Sequence, residues 1–61
     1  MKPDWTLKSK YLLAQFVGKV VEIDGHRTYI DRANYNRGMI IGQDDVMYAI
    51  EFLKAHEVII R

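Results

Sequence analysis

The chain has 61 residues, 49% of them apolar, with no cysteine and nine Lys and Arg against eight Asp and Glu, for a formal net charge of +1. That length makes one domain, residues 1–61, and a chain so short hides only about 60% of its unfolded surface, so its stability margin is small. Disulfide and zinc staples are excluded by composition, the net charge is too small to draw the whole molecule to nucleic acid or an anionic membrane, and no apolar run nears the roughly 20 residues of a membrane span.

The expectation is a soluble cytoplasmic protein with no membrane partner. Charge is unevenly spread. Lys2, Lys8, Lys10 and Lys19 face only Asp4 in the first third, whereas Asp44, Asp45, Glu51 and Glu57 outnumber Lys54 and Arg61 in the last. The molecule is therefore expected to be electrically polar.

In chain order, residues 1–4 read as a lead-in, with Asp4 or Thr6 available as N-cap. Residues 6–17 contain no breaker, and Gly18 stands where a helix-ending glycine belongs, which predicts a first helix about 18 Å long. Its apolar residues fall on several stripes, Leu7, Tyr11 and Ala14 on one, Leu13 and Val17 on another, Leu12 and Phe16 on a third. Such a helix needs cover on more than one side.

Residues 20–29, VVEIDGHRTY, carry the strongest local signal. Asp24-Gly25 between two alternating runs is a two-residue hairpin turn. That turn sets a register: Ile23 opposite His26, Glu22 opposite Arg27, Val21 opposite Thr28, Val20 opposite Tyr29. Val21, Ile23, Thr28 and Ile30 then share the core face, and Glu22 and Arg27 pair on the other.

Residues 31–38, DRANYNRG, lose the apolar alternation and read as a loop or one helical turn. Residues 39–41 form a short apolar strand that Gly42 ends. From Asp44 as N-cap to His56 near the end, a second helix is predicted, with Val46, Ala49, Ile50 and Leu53 at core spacing and Tyr48, Phe52 and Ala55 as a second apolar flank. Val58, Ile59 and Ile60 are β-branched and predict a terminal strand, buried or paired at an edge.

The fold expected is α+β: helix, β-hairpin, loop, short strand, helix and terminal strand, with the two helices packed on a small, mostly antiparallel sheet whose strand order stays open. Two helices with narrow polar faces and an apolar last strand argue for a homodimer.

Chemistry finds little support. His26 and His56 lie at a turn and a helix end, places that local structure explains, and nothing in the spacing brings them together for acid–base work. Ser9, the one serine, lies in no nucleophile motif, and Asp44 and Asp45 would project about 100° apart on a helix, which is poor for a shared metal. The carboxylates of the second helix are a solvated face or, less simply, a phosphate mimic. The expectation is a protein that is not an enzyme and uses no cofactor and no metal.

Two functional readings remain. The favoured one is a small regulatory or inhibitory module that docks on a protein partner through an apolar patch from Leu12, Phe16, Tyr48 and Phe52, with Trp5 either a lid on the core or a partner anchor. The alternative is a nucleic-acid-binding regulator using the segment 26–38, where Arg27, Arg32 and Arg37 could grip phosphates and Tyr29 and Tyr35 stack on bases. A helix-turn-helix is excluded for that role, because a hairpin and a strand separate the two helical segments.

Overall fold

A computed structural model describes all 61 residues. In chain order the elements are α1 (Ser9–Ala14), β1 (Val20–Ile23), β2 (His26–Asn34), β3 (Met39–Gly42), β4 (Met47–Ala49), α2 (Ile50–Lys54) and β5 (Val58–Ile60). The five strands form one sheet in the order β4-β3-β2-β1-β5, with every neighbouring pair antiparallel. β4 and β5 are its edges.

The hairpin of β1 and β2 has the predicted register, Val20 with Tyr29 through Ile23 with His26. Asp24 and Gly25 both take positive φ, 49° and 86°. That is the turn whose twist matches the flanking strands, and it explains why aspartate and glycine stand there. Val21, Ile23, Thr28 and Ile30 are all buried.

β2 continues well past the predicted boundary. Its first half pairs with β1 and its second, Ile30 to Asn34, pairs with β3, with a register shift between Ile30 and Arg32. Asp31 is the extra residue of this β-bulge, so Asp31 and Arg32 are exposed in succession before Ala33 turns inward onto the core. A bulge bends its strand and lets it pass from one half of a sheet to the other. It also breaks strict alternation, which is why residues 31–34 look like loop in the sequence; only residues 35–38 form the turn.

Both helices are shorter than predicted. α1 spans six residues, with Lys8 at its N-cap and no side-chain cap. Asp4 caps something else: its Oδ1 accepts from the Thr6 amide at 2.9 Å and the Thr6 hydroxyl at 2.6 Å. Gln15 then clamps this lead-in, accepting from the Asp4 amide at 2.9 Å and donating to the Asp4 carbonyl at 3.1 Å. After Ala14 the chain tightens into i to i+3 bonds, Phe16 amide to Leu13 carbonyl and Val17 amide to Ala14 carbonyl, and Gly18 at φ 77° leads into β1.

The predicted second helix is the larger correction. Residues 43–46 form a hairpin loop, Met47–Ala49 is a strand, and only Ile50–Lys54 is helical. Asp44 does cap, but within a turn: its Oδ1 accepts from the Val46 amide at 3.2 Å, while Asp45 takes φ 66° and its amide bonds the Gly42 carbonyl. A short apolar run satisfies strand and helix patterns alike, and pairing with β3 decides for strand here.

The core gathers Leu13 and Phe16 from α1 and the turn after it, Leu53 from α2, and Val21, Ile23, Ile30, Ile40, Val58 and Ile60 from four strands. Trp5 packs against this cluster, its ring centroid 6.1 Å from that of Phe16. Each helix thus lays one apolar side on the sheet. No helix is long and apolar enough to cross a membrane.

Candidate functional site

The predicted docking residues separate. Leu12 is 5% exposed and Phe16 fully buried, so neither can meet a partner; both belong to the interior. Tyr48 is half-buried and Phe52 is 42% exposed, and these two do lie together, with ring centroids 6.1 Å apart. The ladder extends to a residue the pattern of apolar positions does not reveal: His56 stacks on Phe52 at 4.1 Å. Spacing of four between Tyr48, Phe52 and His56 was the available signal.

Val46 and Met47, beside Tyr48, are 44% and 55% exposed. β4 alternates, so Tyr48 turns toward the core opposite Ile40, and Met47 projects from the other face opposite Ile41. The backbone between them is equally informative. The Gly42 amide bonds the Val46 carbonyl at 2.8 Å and the Ile50 amide bonds the Gly38 carbonyl at 3.1 Å, which fixes positions 46, 48 and 50 toward β3. By the antiparallel pattern the peptide groups of Met47 and Ala49 point outward, away from the sheet.

The opposite edge is covered at one of its two outward-facing residues: Val58 turns its peptide groups outward without a backbone partner, while those of Ile60 are bonded. Ile60 of β5 bonds Met1 in both directions, donating to its carbonyl at 2.6 Å and accepting from its amino group at 2.8 Å. Between β5 and β2, on the outer face, Glu22 holds two arginines: Arg61 through Nη2 at 3.0 Å and Nε at 3.1 Å, and Arg27 through Nε at 3.1 Å. The hydrogen bonds from Arg61 first, and from Arg27 second, hold the Glu22 carboxyl below its usual range.

The segment named for nucleic acid is spread along β2 and the turn after it. Arg27 is engaged by Glu22, and Arg32 lies between Asp31 at 3.2 Å and Asp45 at 3.4 Å. Arg37 occupies the turn, its backbone amide donating to the Asn34 side-chain oxygen, and its guanidinium has no carboxylate partner. Tyr29 is exposed beside Val20 on the outer face, far along the strand from Tyr35. Tyr35 instead lines an open cleft of about 480 Å³ together with Ser9 and Lys10 of α1. Two of three guanidinium groups thus have carboxylate partners, Arg27 sharing its own with Arg61.

The two histidines do different things. His56 Nδ1 contacts Asp24 Oδ2 at 2.5 Å, tying the end of α2 to the first hairpin turn. That bond, followed by the Glu57 amide at 3.0 Å, depresses the Asp24 carboxyl. His26 stands beside the same turn with no side-chain partner. No group of three or more His, Asp or Glu side chains is placed to hold a metal ion.

A search of family models, of characterised proteins and of solved structures finds no match to this chain. What the chain offers is therefore its own anatomy: a small α+β domain with one sheet edge capped at Ile60 by Met1 and the other uncapped.

Proposed function

We propose that the protein is a small non-enzymatic module that acts by docking on a protein partner through β4 and α2. One observation carries this reading: an unpaired strand edge flanked by exposed Val46, Met47 and Phe52. Exposed apolar groups beside free peptide groups form a surface that a partner can cover with both hydrophobic and backbone contacts. The partner surface moves from the predicted set of Leu12, Phe16, Tyr48 and Phe52 to Val46, Met47, Tyr48 and Phe52. Of the two features that argued for a homodimer, the helices are shorter than predicted and the apolar last strand pairs with β1.

Nucleic-acid contact keeps one specific support, the unpaired Arg37 two residues from Tyr35 and its cleft. The two readings part in one experiment. Affinity capture from a cell lysate, with and without nuclease, compares the parent chain with Met47→Glu/Phe52→Glu and with Arg27→Glu/Arg32→Glu/Arg37→Glu. Docking at β4 and α2 predicts a retained protein that survives nuclease and the arginine changes and is lost with the Met47/Phe52 pair. Retention lost with nuclease and with the arginines overturns it.

A further inference from the structure

We propose that Asp24, His56 and Glu57 form a proton-sensitive clasp between the β1–β2 turn and the end of α2, closed tightest where the imidazole is protonated and the carboxyl is not. Three bonds meet there. The Asp24 amide donates to the Glu57 carbonyl at 2.8 Å, the Glu57 amide donates to Asp24 Oδ1 at 3.0 Å, and His56 Nδ1 lies 2.5 Å from Asp24 Oδ2. The turn itself does not ask for a carboxylate, because Asn-Gly serves a two-residue hairpin equally well. Receiving two donors does: an asparagine has one side-chain oxygen, and its amide nitrogen would face the second donor.

Protonation decides how firmly the third bond holds. A neutral imidazole offers Nδ1 as donor in only one of its tautomers, whereas the imidazolium donates from both nitrogens and brings a charge to the carboxylate. The His56 ring also stacks on Phe52, with centroids 4.1 Å apart and planes at 27°, and a cationic ring over an aromatic face adds attraction in the same direction. Of the charged and titratable groups around the ring, Asp24 alone bonds it. Glu51 and Lys54 of α2, Tyr48 of β4, the adjoining Glu57 and His26 of the turn make no side-chain bond to it, and Glu22, Arg27 and Arg61 pair with one another on the outer sheet face. The bond from His56 foremost, then that from the Glu57 amide, holds the Asp24 carboxyl below its ordinary 3.8. The carboxylate is therefore charged throughout the range in which an imidazole titrates, around pH 6.5. Phe52 belongs to the docking surface proposed above, so a pH dependence of docking rests on that reading; the clasp is a property of the free chain and stands without it.

Equilibrium unfolding of the free protein tests the clasp, with the parent, His56→Gln, Asp24→Asn, their double variant and His26→Gln each measured at about pH 5.5 and about pH 8.5, on either side of the imidazole range. Asparagine tolerates the positive φ of position 24, so the turn is kept. At the lower pH the His56 and Asp24 changes should be coupled about 2- to 5-fold in the unfolding equilibrium constant, the range of an exposed ion pair. At the higher pH that coupling should fall toward unity, and His26→Gln should leave the difference between the two pH values as it is in the parent. Equal coupling at both pH values would make the contact a fixed bond and overturn its proton sensitivity. Absence of coupling at the lower pH overturns the clasp itself, and a pH difference abolished by His26→Gln assigns it to the wrong histidine.

Discussion

At the β5 side of the sheet Met1 bonds the edge at Ile60, Glu22 gathers Arg27 and Arg61, and Asp24 receives His56 and the Glu57 amide, which leaves the outward peptide groups of Val58 as the unpaired part of that edge. At the β4 side the outward peptide groups have no partner and Val46, Met47 and Phe52 stand in water. Both sides share one core and one antiparallel ladder, so the contrast is not one of folding quality. It lies in what each edge leaves undone. The docking reading proposed above rests on that uncovered edge.

The sharpest way to break this comparison is to confuse core with surface. Phe16→Ala should cost about 3–5 kcal/mol, measured by denaturant titration, because it opens a cavity beneath Trp5 and beside the core cluster. Phe52→Ala, at a position 42% exposed, should cost about 1 kcal/mol or less. Equal losses would mean that the ladder on α2 is part of the interior.

Next in size is a pair of proline substitutions in β4. Tyr48→Pro removes an amide that faces β3 and leaves the Ile40 carbonyl without it, a loss of about 1–3 kcal/mol by equilibrium unfolding. At Met47 the amide faces outward, so Met47→Pro should cost clearly less. A reversed order would show that the register, and with it the open edge, is misassigned.

Gly25→Ala probes the β5 side. At φ 86° an added Cβ is strained although the space around it is empty, and the loss should be about 1 kcal/mol. The smallest effect is electrostatic. Glu22, Asp24 and Asp4 have carboxyl groups held below their ordinary values of 4.5, 3.8 and 3.8, by Arg61, His56 and Thr6 foremost. A depressed carboxyl stabilises the fold fully above its unfolded value and loses that contribution as pH falls through the folded one, so the midpoint of unfolding should drop on acidification below about pH 5. Glu22→Gln should flatten that decline.

How much of this could be read from the residues alone varies along the chain for physical reasons. Asp24-Gly25 dictates its turn through backbone sterics, which need no tertiary information, and the register, the core face and the Glu22–Arg27 pair all follow from it. Residues 31–34 conceal a strand because the bulge at Asp31 places two exposed residues in succession. Residues 46–54 satisfy helix and strand spacing together, and the choice is made by β3, which no local rule supplies. Of the candidate site, Tyr48 and Phe52 were legible as an apolar flank. The buried Leu12 and Phe16 were not separable from them, since an apolar stripe states affinity for cover without saying whether the cover is the chain's own core or a partner. Arg61 as second partner of Glu22 depends on where β5 joins the sheet, and strand order is set by tertiary contacts.

The most direct test of the open edge is hydrogen exchange of single amides in the free protein at low concentration. The account predicts strong protection of Ile60, Asp24 and Arg61, whose amides are bonded, and exchange near the unprotected rate at Met47 and Ala49. Slow exchange at Met47 and Ala49, matching that of Ile60, would show an edge already covered and would contradict the placement of the docking site on β4.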